Sequence, residues 1–166
     1  MLRGSVRGIK KGELDWPPEA EQAFQTLKEV FTSVQVLRHW CPSRNTRVET
    51  DASAKAISGI LSQYIDSQWR PIAYWSRKLS DTEQQWATGQ QELLAIVESL
   101  KHWHYYLDGL STAFTVLTDH QALKGVINAP AKDLRGRLAR WVYELSQFDF
   151  NMEHRPGATN PADSLS

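Results

Sequence analysis

The sequence lacks the features that mark secreted or membrane-spanning proteins. A single cysteine, Cys41, excludes an internal disulfide and a cysteine-rich zinc site, and it suits a reducing compartment. The longest apolar runs, such as Leu93–Val97, are far shorter than a membrane span, and no apolar signal-peptide region follows the basic residues 1–11. These absences predict an intracellular protein with no membrane partner.

Net charge is also absent, because 19 basic residues balance 19 acidic ones. This balance argues against a protein that binds nucleic acid through bulk phosphate attraction alone, so any such contact must be local. The length of 166 residues and the 41% hydrophobic content suit one domain of ordinary size with a short appendage.

The appendage is expected at the N-terminal end, where residues 1–42 contain one amphipathic helix. Apolar residues such as Ala20, Phe24 and Leu27 recur there at three- and four-residue spacing. Asp15 is the expected N-cap, and the helix is expected to end near Ser33.

From Thr46 onward the residue pattern becomes typical of β-strands. Thr46–Thr50 alternates, Asp51–Ala54 is a candidate turn, Ala56–Leu61 is small and apolar, and Pro71–Trp75 forms a third expected strand. Strands joined by such short links pair antiparallel, so the pattern predicts a three-stranded meander.

The remaining chain alternates between helix and strand. Ser80 and Glu83 match a capping box for one long helix that begins near Asp81 and runs to Asp108–Gly109. The later expected elements are a strand over Ala113–Thr118, helices over His120–Ile127 and Leu134–Phe148, and a last strand over Phe150–His154. The order predicts an α/β fold: a mixed five-stranded sheet, with the antiparallel meander plus two parallel strands and helices on both faces.

Acidic residues stand where this layout would bring them together. Asp51 ends the first strand, Asp119 ends the fourth, Glu92 lies inside the long helix, and Asp163 lies in the polar tail. Each acid taken singly has an ordinary interpretation, as a turn former, a helix cap or a solvated side chain. Clustered carboxylates repel one another unless they bind cations, and sites made of oxygen alone select Mg²⁺ or Mn²⁺. Two such ions would support phosphodiester hydrolysis.

Four sequence blocks carry these acids: Thr50–Ser53 (TDAS), Gln91–Val97 (QELLAIV), Leu117–His120 (LTDH) and Asn160–Ser166 (NPADSLS). In order and spacing they resemble the signature blocks of the ribonuclease H domain of gypsy-class LTR-retrotransposon reverse transcriptases. Pro71–Ser80 and His154–Gly157 resemble its intervening blocks.

The resemblance implies a ribonuclease H-like fold over residues 43–166, preceded by a segment, residues 1–42, that connects it to a polymerase domain. It implies that Asp51, Glu92, Asp119 and Asp163 hold two Mg²⁺ or Mn²⁺ ions and cut the RNA strand of RNA–DNA hybrids. It also implies a place in a Pol polyprotein, in a cytoplasmic retroelement particle or the nucleus.

Several further residues are candidates for substrate contact. Ser53, Lys55 and Gln90 flank the acids, and Arg135, Arg137 and Arg140 lie around an aromatic-bearing helix. A solvated basic face explains the three arginines equally well. We expect His120 to lie at the start of a helix. We expect the His154 side chain to pack against other residues or to face solvent, since His154 falls in the last strand rather than on a loop near Asp163.

Two other functions remain open. An integrase-type strand transferase shares this fold family, but its acids follow a different spacing. A domesticated, catalytically weak or inactive module for nucleic-acid or protein interaction is the stronger alternative. It rests on the near-neutral charge and on the unusual Gly89 ahead of Glu92.

Overall fold

A computed structural model of the chain describes residues 17–32, 37–129, 134–155 and 162. The chain divides into two compact units, residues 1–36 and 37–166. Helix α1, Pro18–Thr32, belongs to the first unit and ends where the apolar spacing predicted. The carbonyl of Pro17 accepts the backbone N–H groups of Ala20 and Glu21. The expected N-cap, Asp15, lies outside the described residues.

The second unit is built on one sheet. Its strands are β1 (Thr46–Ala52), β2 (Ala56–Ile65), β3 (Gln68–Lys78), β4 (Phe114–Thr118) and β5 (Phe150–His154), in the spatial order β3-β2-β1-β4-β5. The pairs β1–β2 and β2–β3 are antiparallel, and β1–β4 and β4–β5 are parallel. The predicted mixed five-stranded sheet is therefore confirmed. Strand β1 continues through Asp51 and Ala52, which the sequence had suggested for the turn.

The helix predicted from Asp81 to Gly109 is three helices instead: α2 (Asp81–Gln84), α3 (Thr88–His102) and α4 (His104–Leu107). The predicted capping box is present, with Ser80 Oγ and the Glu83 carboxylate each accepting the other residue's backbone N–H. Gln91 Nε2 then donates to the carbonyls of Glu83 and Gln84, at 3.0 and 3.3 Å. The Gln91 side chain thus supplies donors to carbonyls at the end of α2, where the chain breaks before α3.

The last two helices are shorter than predicted: α5 spans Leu123–Ile127 and α6 spans Gly136–Leu145. Helix α6 cannot extend back to Leu134, because Arg135 is extended and Gly136 has a φ of +58°. Strand β5 matches its predicted range. No helix in the described ranges is long and apolar enough to cross a membrane.

The core lies between the sheet and α3, which packs across β1 and β2. Val48 of β1 is fully buried and pairs with Leu61 of β2 and Val116 of β4, both also fully buried. On β2, Gly59 lets α3 approach the sheet closely, since a Cβ there would lie 2.5 Å from Ser99 Oγ. This contact holds α3, and with it Glu92, against the sheet.

We expect Gly59→Ala to lower the free energy of unfolding by about 1–3 kcal/mol, because the added methyl would overpack the core. It would also lie 3.1 Å from the buried Trp103 ring. The matched control is Gly125→Ala in α5, where nothing lies within 4 Å of the added Cβ. That variant should gain about 0.5–1 kcal/mol from helix propensity. Urea unfolding of both proteins tests the packing, and equal stabilities would contradict it.

Candidate metal centre

Three of the predicted acids converge at one edge of the sheet. Asp51 lies near the end of β1, Asp119 directly follows β4, and these strands are parallel neighbours. Glu92 lies in the second turn of α3. One oxygen from each of the three carboxylates lies within 4.8 Å of the others. Asp51 and Glu92 are buried, at 5% and 3% exposure, while Asp119 is partly exposed.

The electrostatic effect of the cluster is seen in the pKa of Glu92. Its pKa is raised to about 8, first by burial and then by the nearby charges of Asp119 and Asp51. A hydrogen bond from the Ala52 backbone N–H opposes the shift. Glu92 Oε2 is buried and finds no hydrogen-bond partner among the residues that the structure describes. A buried carboxylate oxygen without a donor is costly to leave unpaired, and a cation would satisfy it.

The donor set fits a hard divalent cation. All three converging ligand atoms are carboxylate oxygens, which Mg²⁺ and Mn²⁺ prefer over the nitrogen and sulfur ligands typical of zinc. Positive charge at this position would also offset the mutual repulsion that raises the pKa of Glu92. The cluster can therefore hold a metal ion of this class.

Asp163, the fourth predicted acid, lies outside the described residues. The preceding residue, Ala162, is described and fully buried, and its carbonyl accepts a 2.8 Å hydrogen bond from Ser58 Oγ. Ser58 is the antiparallel partner of Asp51. The chain immediately before Asp163 is thus hydrogen-bonded to β2, the strand that pairs with β1 at Asp51.

A second unpredicted contact helps to hold the strands that carry the acids. Glu49, two residues before Asp51, is buried and accepts hydrogen bonds from Arg47 at 3.1 Å and from Arg155 at 2.5 Å. The backbone N–H of Arg155 donates to the carbonyl of Thr118, the residue before Asp119. Arg155 therefore links the end of β5 to both β1 and β4 just short of the carboxylates.

The candidate substrate residues fall into two groups. Ser53 Oγ accepts the backbone N–H groups of Lys55 and Ala56, so its hydroxyl helps to hold the β1–β2 turn. Lys55 is exposed on this turn, close in sequence to Asp51. Both residues therefore lie at the end of the sheet that carries the acids.

The other candidates lie where α6 meets the start of α3. Arg137 donates from Nη2 to Gln90 Oε1 at 2.8 Å, and its guanidinium carbon lies 3.6 Å from the centroid of the Trp86 ring. Arg135 and Arg140 are exposed. The sequence treated the three arginines alike, but the structure separates Arg137, which is engaged within the protein, from the other two.

Gly89 and His120 form another contact that the sequence did not reveal. A Cβ at Gly89 would lie 2.9 Å from His120 Nε2, so glycine leaves space for this ring beside Asp119. The His120 carbonyl accepts the Leu123 N–H at the start of α5, in keeping with the expected helix-start position. His154 is exposed at the end of β5. The glycine ahead of Glu92 was the one signal in the sequence that could have suggested the His120 contact.

Comparison with known proteins places these features in a family. Residues 41–148 match the model of the RNase H-like domain found in reverse transcriptase. The Transposon Tf2-3 polyprotein of Schizosaccharomyces pombe is 40% identical over 153 residues, which cover 91% of this chain and 12% of that protein. The Transposon Tf2-4 polyprotein of the same organism matches to the same extent. The chain thus spans about an eighth of the length of these curated relatives.

Solved structures share the fold at low sequence identity. The foamy viral protease-reverse transcriptase dRH in complex with double-stranded DNA gives a TM-score of 0.63 at 17% identity, covering 89% of this chain and 27% of that one. The LC11-RNase H1 in complex with an RNA/DNA hybrid gives 0.54 at 15% identity, covering 73% of this chain and 93% of that one. At these identities the structures support the fold assignment alone.

Proposed function

Because this chain belongs to the RNase H-like domains found in reverse transcriptases, in the gypsy-class retrotransposon group, we propose that it hydrolyses the RNA strand of RNA–DNA hybrids. The observation that carries the proposal is the convergence of Asp51, Glu92 and Asp119 within 4.8 Å at one sheet edge. The resulting centre is built from carboxylate oxygens, and its Asp119 side chain is partly exposed.

In the proposed mechanism the protein supplies the ligands and their geometry. Asp51, Glu92 and Asp119, with Asp163 as the proposed fourth ligand, would together hold two divalent ions. Bound Mg²⁺ or Mn²⁺ would supply an activated water and compensate the charge that develops on the leaving oxygen. The raised pKa keeps Glu92 largely protonated in the metal-free protein near neutral pH, so metal binding would release a proton from this residue.

Exposed basic side chains are the proposed contacts with the hybrid backbone. Lys55 lies on the turn beside Asp51, and Arg135 and Arg140 flank the first turns of α6. Ser53 contributes mainly by holding the turn from which Lys55 projects. A few local contacts of this kind are compatible with a protein of zero net charge.

We propose that the chain acts as one part of a polyprotein. We place residues 1–42 as the connection to a reverse-transcriptase polymerase domain and residues 43–166 as the nuclease. The site of action would be a cytoplasmic retroelement particle or the nucleus. A solved relative, the foamy viral protease-reverse transcriptase, has been captured with an RNA/DNA hybrid, which supports this choice of substrate.

The direct test is cleavage of a hybrid labelled separately on its RNA and DNA strands. We expect the RNA strand alone to be cut, to leave 3′-hydroxyl ends, with Mg²⁺ or Mn²⁺ and not with EDTA. Double-stranded DNA of the same sequence is the substrate control. Binding of the hybrid without cleavage under either metal would overturn the nuclease proposal in favour of an interaction module.

A further inference from the structure

A buried serine of β2 holds the chain just ahead of the fourth predicted acid. Ser58 is fully buried, and its hydroxyl donates a 2.8 Å hydrogen bond to the carbonyl of Ala162, 104 residues away in the sequence. Ala162 is fully buried as well. Packing and a hydrogen bond therefore both hold Ala162 against the second unit of the chain.

This contact lies beside Asp51. Ser58 and Asp51 are direct partners in the antiparallel pair of β1 and β2. Residues opposed in this way point to the same face of a sheet, with Cβ atoms about 4.5–5.5 Å apart. The Ser58 hydroxyl, and with it the Ala162 carbonyl, therefore lies on the face to which Asp51 points.

The carbonyl that Ser58 binds belongs to the peptide bond between Ala162 and Asp163. A peptide unit is planar and includes the Cα atoms on both of its sides. Fixing this carbonyl therefore restricts the backbone from which the Asp163 side chain extends. A group restricted before its partner arrives loses less conformational entropy when it binds.

We propose that Ser58 is a positioning residue for the metal centre, which acts through the Ala162 carbonyl to bring Asp163 to the carboxylate cluster. The inference rests on the proposed function, which supplies Asp163 as the fourth ligand. In this role the Ser58 hydroxyl donates its proton to Ala162 and is not itself a metal ligand. Apparent metal affinity falls in proportion to the fraction of time that a ligand spends in its binding position, so loss of this hydroxyl weakens metal binding.

Ser58→Ala removes the hydrogen-bond donor, and Mn²⁺ binding followed by the EPR signal of the free ion tests its effect without any need for cleavage. We expect the Mn²⁺ dissociation constant to rise about three- to tenfold, the effect of one lost neutral hydrogen bond. Ser62→Ala is the matched control, because Ser62 is also buried and lies on the same face of β2, farther from Asp51. It should bind Mn²⁺ as the wild type does. All titrations use one pH, since metal binding is coupled to proton release.

A double-mutant cycle with Asp163→Asn separates positioning from a merely structural role. Asp163→Asn should weaken Mn²⁺ binding by itself, and Ser58→Ala should weaken it no further in that background, because both changes then act on the same ligand. A structural role predicts the same factor in both backgrounds. Thermal melts in EDTA check that each variant folds. If Ser58→Ala does not, Ser58→Cys replaces it, because a thiol is only a weak donor.

The outcomes separate this inference from the proposed function. Wild-type Mn²⁺ affinity in Ser58→Ala, with weakened binding in Asp163→Asn, would show that the contact with Ala162 only fastens the chain, and the inference would be wrong. Equal losses in both backgrounds would overturn it too. Wild-type affinity in Asp163→Asn would remove the fourth ligand from the proposed function, and the inference would fall with it. A protein that shows the expected Mn²⁺ cycle yet cuts no hybrid would overturn the nuclease proposal alone.

Discussion

Asp51→Asn is expected to reduce hydrolysis of an RNA–DNA hybrid by about 1,000-fold or more while the protein stays folded. The amide keeps the shape of the side chain but removes a negative charge that would hold the metal ions, and such electrostatic contributions are large in catalysis. In the metal-free protein the same change removes one source of repulsion on Glu92, so the melting temperature should rise or stay constant.

The measurements are initial cleavage rates over a Mg²⁺ titration and thermal melts in EDTA. Asp108→Asn is the matched control, because Asp108 is exposed at the end of α4, outside the carboxylate cluster. That variant should cleave at the wild-type rate. Full activity of Asp51→Asn would remove Asp51 from the mechanism, and a loss that Asp108→Asn shares would point to net charge instead.

The second large effect expected is a fall in metal-free stability as pH rises. The pKa of Glu92 is about 8 in the folded protein against an ordinary value of 4.5. Below pH 4.5 both folded and unfolded chains hold this proton; between 4.5 and 8 only the folded chain does. Raising the pH through this window therefore favours unfolding, and at about 1.4 kcal/mol per pK unit the total is a few kcal/mol.

Glu92→Gln does not titrate, so its metal-free stability should be flatter over this pH window and exceed that of the wild type at pH 8. Added Mg²⁺ should reverse the order, because the wild-type protein gains binding free energy that the glutamine variant largely lacks. Urea unfolding at several pH values, in EDTA and in Mg²⁺, measures both effects. Glu153→Gln, an exposed change on β5, controls for the loss of one charge. A wild-type curve as flat as that of Glu92→Gln would show that Glu92 ionises normally.

Much of the fold was predictable because its signals are local. Alternation in residues 46–50 and 150–154 and the short links after β1 and β2 indicated a meander and later strands, and the structure confirms that sheet. The convergence of Asp51 and Asp119 followed from the sheet, since parallel neighbours end at the same edge. Glu92 was also expected at the site from its place inside the predicted helix, and the resemblance of its block to a known family strengthened that prediction.

The helix boundaries were less predictable, because the spacing of the hydrophobic residues does not show where a side chain hydrogen-bonds to the backbone carbonyls at a helix end. Gln91 ends the hydrogen bonding of α2 through Glu83 and Gln84, and the positive φ of Gly136 sets the start of α6. In a continuous apolar pattern both positions look like ordinary helix interior.

By itself, the sequence determined the family, the order of the strands, and the acids available to a metal centre. Only the tertiary structure decided that Glu49 is buried with Arg155, 106 residues away, and that Arg137 donates a hydrogen bond to Gln90, 47 residues away. In both contacts the packing of the elements brings a charged group to its partner. Neither contact leaves a repeating pattern along the sequence. Periodicity records which face of an element is apolar, whereas the pairing of buried polar groups depends on which elements meet, and that is known only once the chain has folded.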